Sequence, residues 1–130
     1  MQVIAFFKNP DIVFLMTVQE IARDVRRQFE LRHVDRGILQ QLYRPYADVP
    51  DLVAFVMVAE KLFPKRCCGL ASLYLQHVLG QGAIVQGQYR GHEHTFLQLD
   101  DGSIVDITSD QYGGPSVYCG PLSAPYVLTQ

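Results

Sequence analysis

The chain has 130 residues, the length of one domain, with 48% hydrophobic and 18% charged residues and a formal net charge of -2. That apolar content excludes a disordered or low-complexity chain. With no basic stripe to track phosphates, nucleic acid is not expected as a partner. The apolar runs Ile12 to Met16 and Leu52 to Ala59 fall short of the roughly 18 residues a membrane span needs, so no membrane partner is expected either. The N-terminus has neither a basic segment nor a small-residue cleavage site, and three cysteines, two of them adjacent, make no disulfide framework. These features point to a reducing cytosol, and the same composition suits a protein exported by a dedicated secretion machine.

No linker or internal repeat divides the chain. The pattern is helical before Pro64 and strand-like after about Gly80. Thr17-Val18-Gln19-Glu20 is a capping box opening a first helix. Val18, Ile21, Ala22, Val25 and Phe29 recur at helical spacing and make one buried stripe, which leaves Arg23, Asp24, Arg26, Arg27 and Gln28 for a solvated face. A second short helix is expected over 35–43, broken by Tyr43-Arg44-Pro45-Tyr46, because proline removes a donor and restricts its predecessor. Asp51 caps a third helix running to Phe63, with Leu52, Phe55, Val56 and Ala59 inward. A fourth runs from Cys68 to Leu79 and stops at Gly80; Ala71, Leu75, Val78 and Leu79 form its core face. Strands are expected at Ala83–Tyr89, Glu93–Leu99 and Ser103–Thr108, with a short one at Val117–Cys119. Helices first and strands later is an α+β pattern: one domain over 1–130, helical in 1–63, with a helix and an antiparallel sheet in 64–130.

Chemistry concentrates in Cys68, His94 and Asp106. A thiol is a nucleophile only as thiolate, and a helix N-terminus and a neighbouring imidazolium both lower its pKa. Cys68 opens a helix, with Lys65 and Arg66 just upstream. His94, in a strand, can act as base, and Asp106, in the next strand, can orient that imidazole. Rival readings are weaker. His92 and His94 share a strand face and could bind zinc with a cysteine, but paired C-x-x-C spacing is absent, so no metal is expected. No glycine cluster opens a helix after a strand as a phosphate loop does. Asp106 and Asp110 lack a second, well-spaced acid for glycoside hydrolysis. Cys119 falls in the strand-like tail and reads as core.

Cys68-Gly69-Leu70-Ala71-Ser72, His94-Thr95-Phe96 and Asp106-Ile107-Thr108-Ser109-Asp110-Gln111-Tyr112 resemble the motifs of papain-like and transglutaminase-like thiol proteins, most of all small bacterial ones carrying C-x-x-A-S, H-A-W and D-I-T-A-D-Q-F segments. The likeness covers residues 62–120. It implies a papain-like fold with Cys68 as nucleophile, His94 as base and Asp106 as orienting acid. It also implies acyl transfer at a carboxamide of a protein or peptide substrate with no cofactor, as in a peptidase, amidase, glutamine deamidase or transglutaminase. Many such small domains are effectors or toxins. Cys67 is the competing nucleophile, and the Ala-Ser spacing favours Cys68 over it. Phe96 stands where Trp is usual and Ser109 where Ala is usual. No Gln lies shortly before Cys68 to serve an oxyanion hole, which leaves the Cys68 N–H as the donor. The alternative is a binding or scaffold domain that keeps the fold without catalysis. None of these patterns sets an oligomeric state.

The turn after Leu99 decides whether such a triad can form. A two-residue loop at Asp101-Gly102 pairs Asp100 with Ser103 and turns Asp106 to the face opposite His94. A three-residue loop, Asp100-Asp101-Gly102, pairs Leu99 with Ser103, sets His94 opposite Thr108 and Phe96 opposite Asp106, and makes His94 and Asp106 diagonal neighbours on one face. The same-face requirement of the triad selects the second, with a bulge at Gly102.

Overall fold

The computed structural model describes residues 3–9 and 12–129, with side chains from Met16 to Thr129. Residues 1–63 are not wholly helical. Val3–Asn9 (β1) and Ile12–Thr17 (β2) pair as an antiparallel hairpin separate from the main sheet. Val3–Phe7 and Ile12–Met16 are two short apolar runs with no period to read, and their β-branched and aromatic residues favour strands. Val18–Glu30 (α1) then opens on the expected box: Thr17 Oγ1 accepts from the Glu20 N–H, and the Glu20 carboxylate accepts from the Thr17 N–H. Arg36–Tyr43 (α2) and Leu52–Leu62 (α3) start at Asp35 and Asp51, each accepting from a main-chain N–H in the first turn. Cys68–Leu79 (α4) ends at Gly80 in the left-handed conformation.

The main sheet has five antiparallel strands in the order β6-β5-β4-β3-β7, where β3 is Ala83–Tyr89, β4 His92–Gln98, β5 Ile104–Asp106, β6 Tyr118–Gly120 and β7 Tyr126–Leu128. The molecule is α+β. Alternation along the strands divides the core. Leu97, Leu99, Val105 and Ile107 pack with Ile21, Val25 and Phe29 of α1 and with Leu70, Ala71 and Leu75 of α4. Tyr89, Phe96, Ile104 and Tyr126 form a second cluster on the other face. Each large side chain so buried contributes about 1.5–3 kcal/mol.

Register follows the three-residue loop. Leu97 pairs with Val105 and Gln98 with Ile104. The Leu99 N–H donates to Ser103 O at 2.8 Å, the Gly102 N–H to Leu99 O at 2.9 Å, and Gly102 has φ +90°, a conformation glycine adopts without strain. Strand β5 ends at Asp106, two residues before the expected Thr108, and a 3₁₀ turn follows at Ser109–Tyr112. Strand β7 has no counterpart in the sequence reading. It sits so close to β3 that a Cβ on Gly87 would collide with the main-chain oxygen of Val127.

Candidate active site

The site lies where β5 leaves β4. Hydrogen-bonded pairs recur at every second residue of an antiparallel ladder. After Leu99–Ser103 and Leu97–Val105, the next would join Thr95 to Ile107. That rung is open, and both of its carbonyls are bonded elsewhere. Arg26 Nη1 donates to Ile107 O at 2.8 Å. Ser72 Oγ donates to Thr95 O at 3.4 Å. The Thr95 main chain is among the groups that favour the charged form of the Cys68 sulfur. The C-G-L-A-S segment thereby acquires a physical reading. Cys68 begins α4, buried Ala71 lets the helix sit close, and Ser72, one turn on, bonds the strand carbonyl.

Helix α4 has no side-chain cap, so its first N–H groups stay open around the thiol. Cys68 is partly exposed. Burial is the largest influence on it and raises its pKa, but the His94 side chain and the Thr95 donors outweigh burial and bring the thiol below its ordinary value. Cys67 differs. It is 1% exposed, and burial, helped by the charge of Cys68, pushes its thiol up to about 12.

His94 is 3% exposed. Its Nε2 lies 2.7 Å from Asp106 Oδ2, the same-face contact the register requires. Its Nδ1 is buried and closes no hydrogen bond of standard geometry with a described residue; the interacting group still open to it is the Cys68 thiol. Contacts between base and nucleophile are often loose before substrate binds. Burial works against a charged ring, yet the bond to Asp106 and the interaction with Cys68 carry His94 from 6.5 up to about 9. In its neutral form the ring donates Nε2–H to Asp106 and keeps the Nδ1 lone pair for the thiol proton.

Asp106, 2% exposed, is met by three further donors: the Thr108 N–H at 3.0 Å and Oγ1 at 3.2 Å on Oδ1, and Tyr126 Oη at 2.8 Å on Oδ2. Aromatic rings frame the pair. Tyr112 meets the His94 ring edge-on at 5.6 Å, with Tyr89 and Phe96 beside it.

The other candidates lie apart. Asp110 forms a two-point ion pair with Arg26, with both contacts at 2.8 Å, and tethers the 3₁₀ turn to α1. Arg26 is 8% exposed and lies over the Phe63 ring at 4.7 Å, which corrects the expectation of a solvated face for it. His92 is exposed and stacks on Tyr112 at 4.4 Å; among the described residues no group of three His, Cys, Asp or Glu could hold a metal ion. Cys119, its thiol pushed up to about 11 by burial, borders a cavity of about 610 Å³. That cavity runs between the start of α1, the Leu99–Ser103 turn and Gly120–Leu122, and neither Cys68 nor His94 lines it. No described helix is long and apolar enough to cross a membrane.

Sequence reasoning missed Thr95, Ser72, Arg26 and Tyr126. Ser72 and Thr95 were visible only as motif positions. Arg26 follows Ala22 by four residues and precedes Phe29 by three, so it borders the buried stripe, and that spacing was a usable signal. Tyr126 belongs to a three-residue strand, too short to show a period. Comparisons with protein-family models, with curated proteins and with solved structures find no match to this chain.

Proposed function

We propose that the protein is a thiol-dependent acyl-transfer enzyme of the papain-like, transglutaminase-like class, acting on a carboxamide of a protein or peptide through Cys68, His94 and Asp106. The observation that carries this reading is the buried His94, tied by Nε2 to Asp106, with its other nitrogen left to a partly exposed thiol at an uncapped helix start. A helix bearing the nucleophile and packed on an antiparallel sheet agrees with the papain-like arrangement that the motifs resemble.

The chemistry follows from the groups present. The Cys68 thiolate attacks the amide carbon and forms a C–S bond. The developing oxyanion meets the open N–H of Cys68. His94 gives its Nδ1 proton to the leaving nitrogen, and a thioester remains. Water or an amine then attacks the thioester carbon and gives its proton to Nδ1, and the C–S bond breaks to return the Cys68 thiolate. With water the result is hydrolysis or deamidation; with an amine it is transfer. Asp106 holds the ring in the tautomer both halves need.

Two measurements test the proposal. Iodoacetamide should modify one cysteine, Cys68, rapidly at pH 6. Cellular proteins treated with wild type, but not with Cys68→Ala, should show a mass change: about +1 Da on Gln for deamidation, new termini for cleavage, or a conjugate for transfer. The separation of the 610 Å³ cavity from Cys68 favours one alternative, a non-catalytic binding domain. Slow alkylation with the pH dependence of an ordinary thiol would select it.

A further inference from the structure

Tyr126 has no part in the mechanism above, yet its hydroxyl ends on the oxygen that holds the base. Asp106 accepts four hydrogen bonds, two on each oxygen. Thr108 supplies both of those on Oδ1, at 3.0 and 3.2 Å. On Oδ2, His94 Nε2 at 2.7 Å shares its acceptor with Tyr126 Oη at 2.8 Å. A buried tyrosine needs a partner for its hydroxyl, and any main-chain carbonyl would serve. This one reaches instead from β7 to β5, with β3 and β4 between them in the sheet order. Its ring is packed by Tyr89 at 4.8 Å, Tyr118 at 5.0 Å and Phe96 at 5.2 Å, so the direction of the hydroxyl is set by the core around it.

We propose that Tyr126 is a positioning residue of the thiol site: its hydroxyl fixes Asp106 Oδ2 beside His94 and takes up part of that oxygen's charge, so that the imidazolium is held firmly and still releases its Nδ1 proton to the leaving nitrogen. This rests on the reading of Cys68, His94 and Asp106 as the catalytic groups. A carboxylate oxygen with two donors has less charge to offer each of them. Without the phenol, Asp106 would grip the charged ring harder, and an imidazolium gripped too hard is a poor acid. Burial and the charge of Asp106 push the Tyr126 phenol above its ordinary value, so it keeps its proton and stays a donor. The His94 ring faces Asp106 of β5, Cys68 of α4, Tyr89 of β3 and Tyr112 of the 3₁₀ turn, and Asp106 also faces Tyr126 of β7. Removing the Tyr126 hydroxyl adds no charge to this group and takes none away, so its effect on His94 travels through Asp106.

The test is imidazole NMR titration of His94, with iodoacetamide alkylation of Cys68 read by peptide mass spectrometry, in wild type, in Tyr126→Phe and in protein carrying fluorotyrosine at position 126. Phenylalanine keeps the ring and its packing and removes the hydroxyl. The His94 midpoint should then rise by about 0.5–1 pH unit, the part of a charged hydrogen bond that Asp106 passes on. Fluorination makes the phenol a stronger donor and should move the midpoint the other way. A hydroxyl that serves folding alone would lower the melting temperature of Tyr126→Phe and leave the midpoint in place, or let it fall as Asp106 swings away. An unchanged or lower midpoint in Tyr126→Phe overturns the role of Tyr126, and rapid alkylation of Cys68 in weakly acid solution then leaves the nucleophile assignment standing. Slow alkylation of wild type with the pH dependence of an ordinary thiol overturns both. If Tyr126→Phe does not fold, the fluorinated protein decides: a lower midpoint supports the role, and an unchanged one overturns it.

Discussion

Replacing Asp106 by Asn probes the most consequential contact in the molecule. The side chain keeps its shape and can still accept from the Thr108 N–H and hydroxyl. The amide then faces His94 with N–H groups. His94 Nε2 must become an acceptor, its proton moves to Nδ1, and the nitrogen open to Cys68 can no longer take the thiol proton. The magnitude follows from the buried 2.7 Å contact and the rise of His94 from 6.5 to about 9. A rise of that size corresponds to roughly 3 kcal/mol favouring the charged ring, shared between Asp106 and Cys68. Loss of the Asp106 share should lower the His94 pKa by at least about one unit and raise the alkylation midpoint of Cys68 with it. Turnover, once a substrate is in hand, should fall by about 10²–10⁴. Stability carries the same sign. The raised His94 contributes fully below 6.5 and loses its contribution as the pH rises through about 9. The lowered Cys68 contributes fully above its ordinary thiol value and loses its contribution as the pH falls through the lowered one. The two slopes oppose each other, so wild type should hold a plateau of stability across neutral pH, and Asp106→Asn should shrink it. Imidazole NMR titration, alkylation profiles and melting temperatures between pH 5 and 10 supply the assay. An unchanged His94 titration in Asp106→Asn would refute the reasoning.

Three further outcomes are expected. Cys68→Ala should abolish stoichiometric alkylation and remove the Cys68 share of the pH-dependent stability, whereas Cys67→Ala, in the core, should keep the alkylation profile and lose about 1 kcal/mol of stability by urea titration. Arg26→Ala strands Asp110 and frees Ile107 O; it should cost about 3 kcal/mol in the same titration and raise the alkylation midpoint of Cys68. Gly87→Ala pushes β7 off β3, which should cost about 1–3 kcal/mol and, by carrying Tyr126 away from Asp106, loosen the His94 resonance in NMR.

Much of the fold was legible because its signals are local. The Thr17–Glu20 box, the Asp35 and Asp51 caps and the Gly80 stop each act within one helical turn. The β4–β5 register came from joining local turn chemistry to a same-face requirement, since either loop length suits Asp-Gly. The rest depends on partners distant in sequence. Arg26 meets Asp110 across 84 positions, and β7 exists only because β3 offers it an edge. The β1–β2 hairpin hid in two short apolar runs that show no period, where only the β-branched and aromatic content spoke for strands. Within the site, Cys68, His94 and Asp106 were visible as motif residues. Tyr126 acts through a single hydroxyl on Asp106, which no residue pattern encodes.

The open rung ties the end of the ladder to the docking of α1. Ile107 O is kept from Thr95 by a guanidinium on α1, so the gap at the foot of the helix bearing Cys68 depends on α1 being in place. With α1 displaced, Ile107 O would be free to continue the ladder onto Thr95. The surroundings of Cys68 are in that sense set by a residue of the first helix, 81 positions away from the carbonyl it holds.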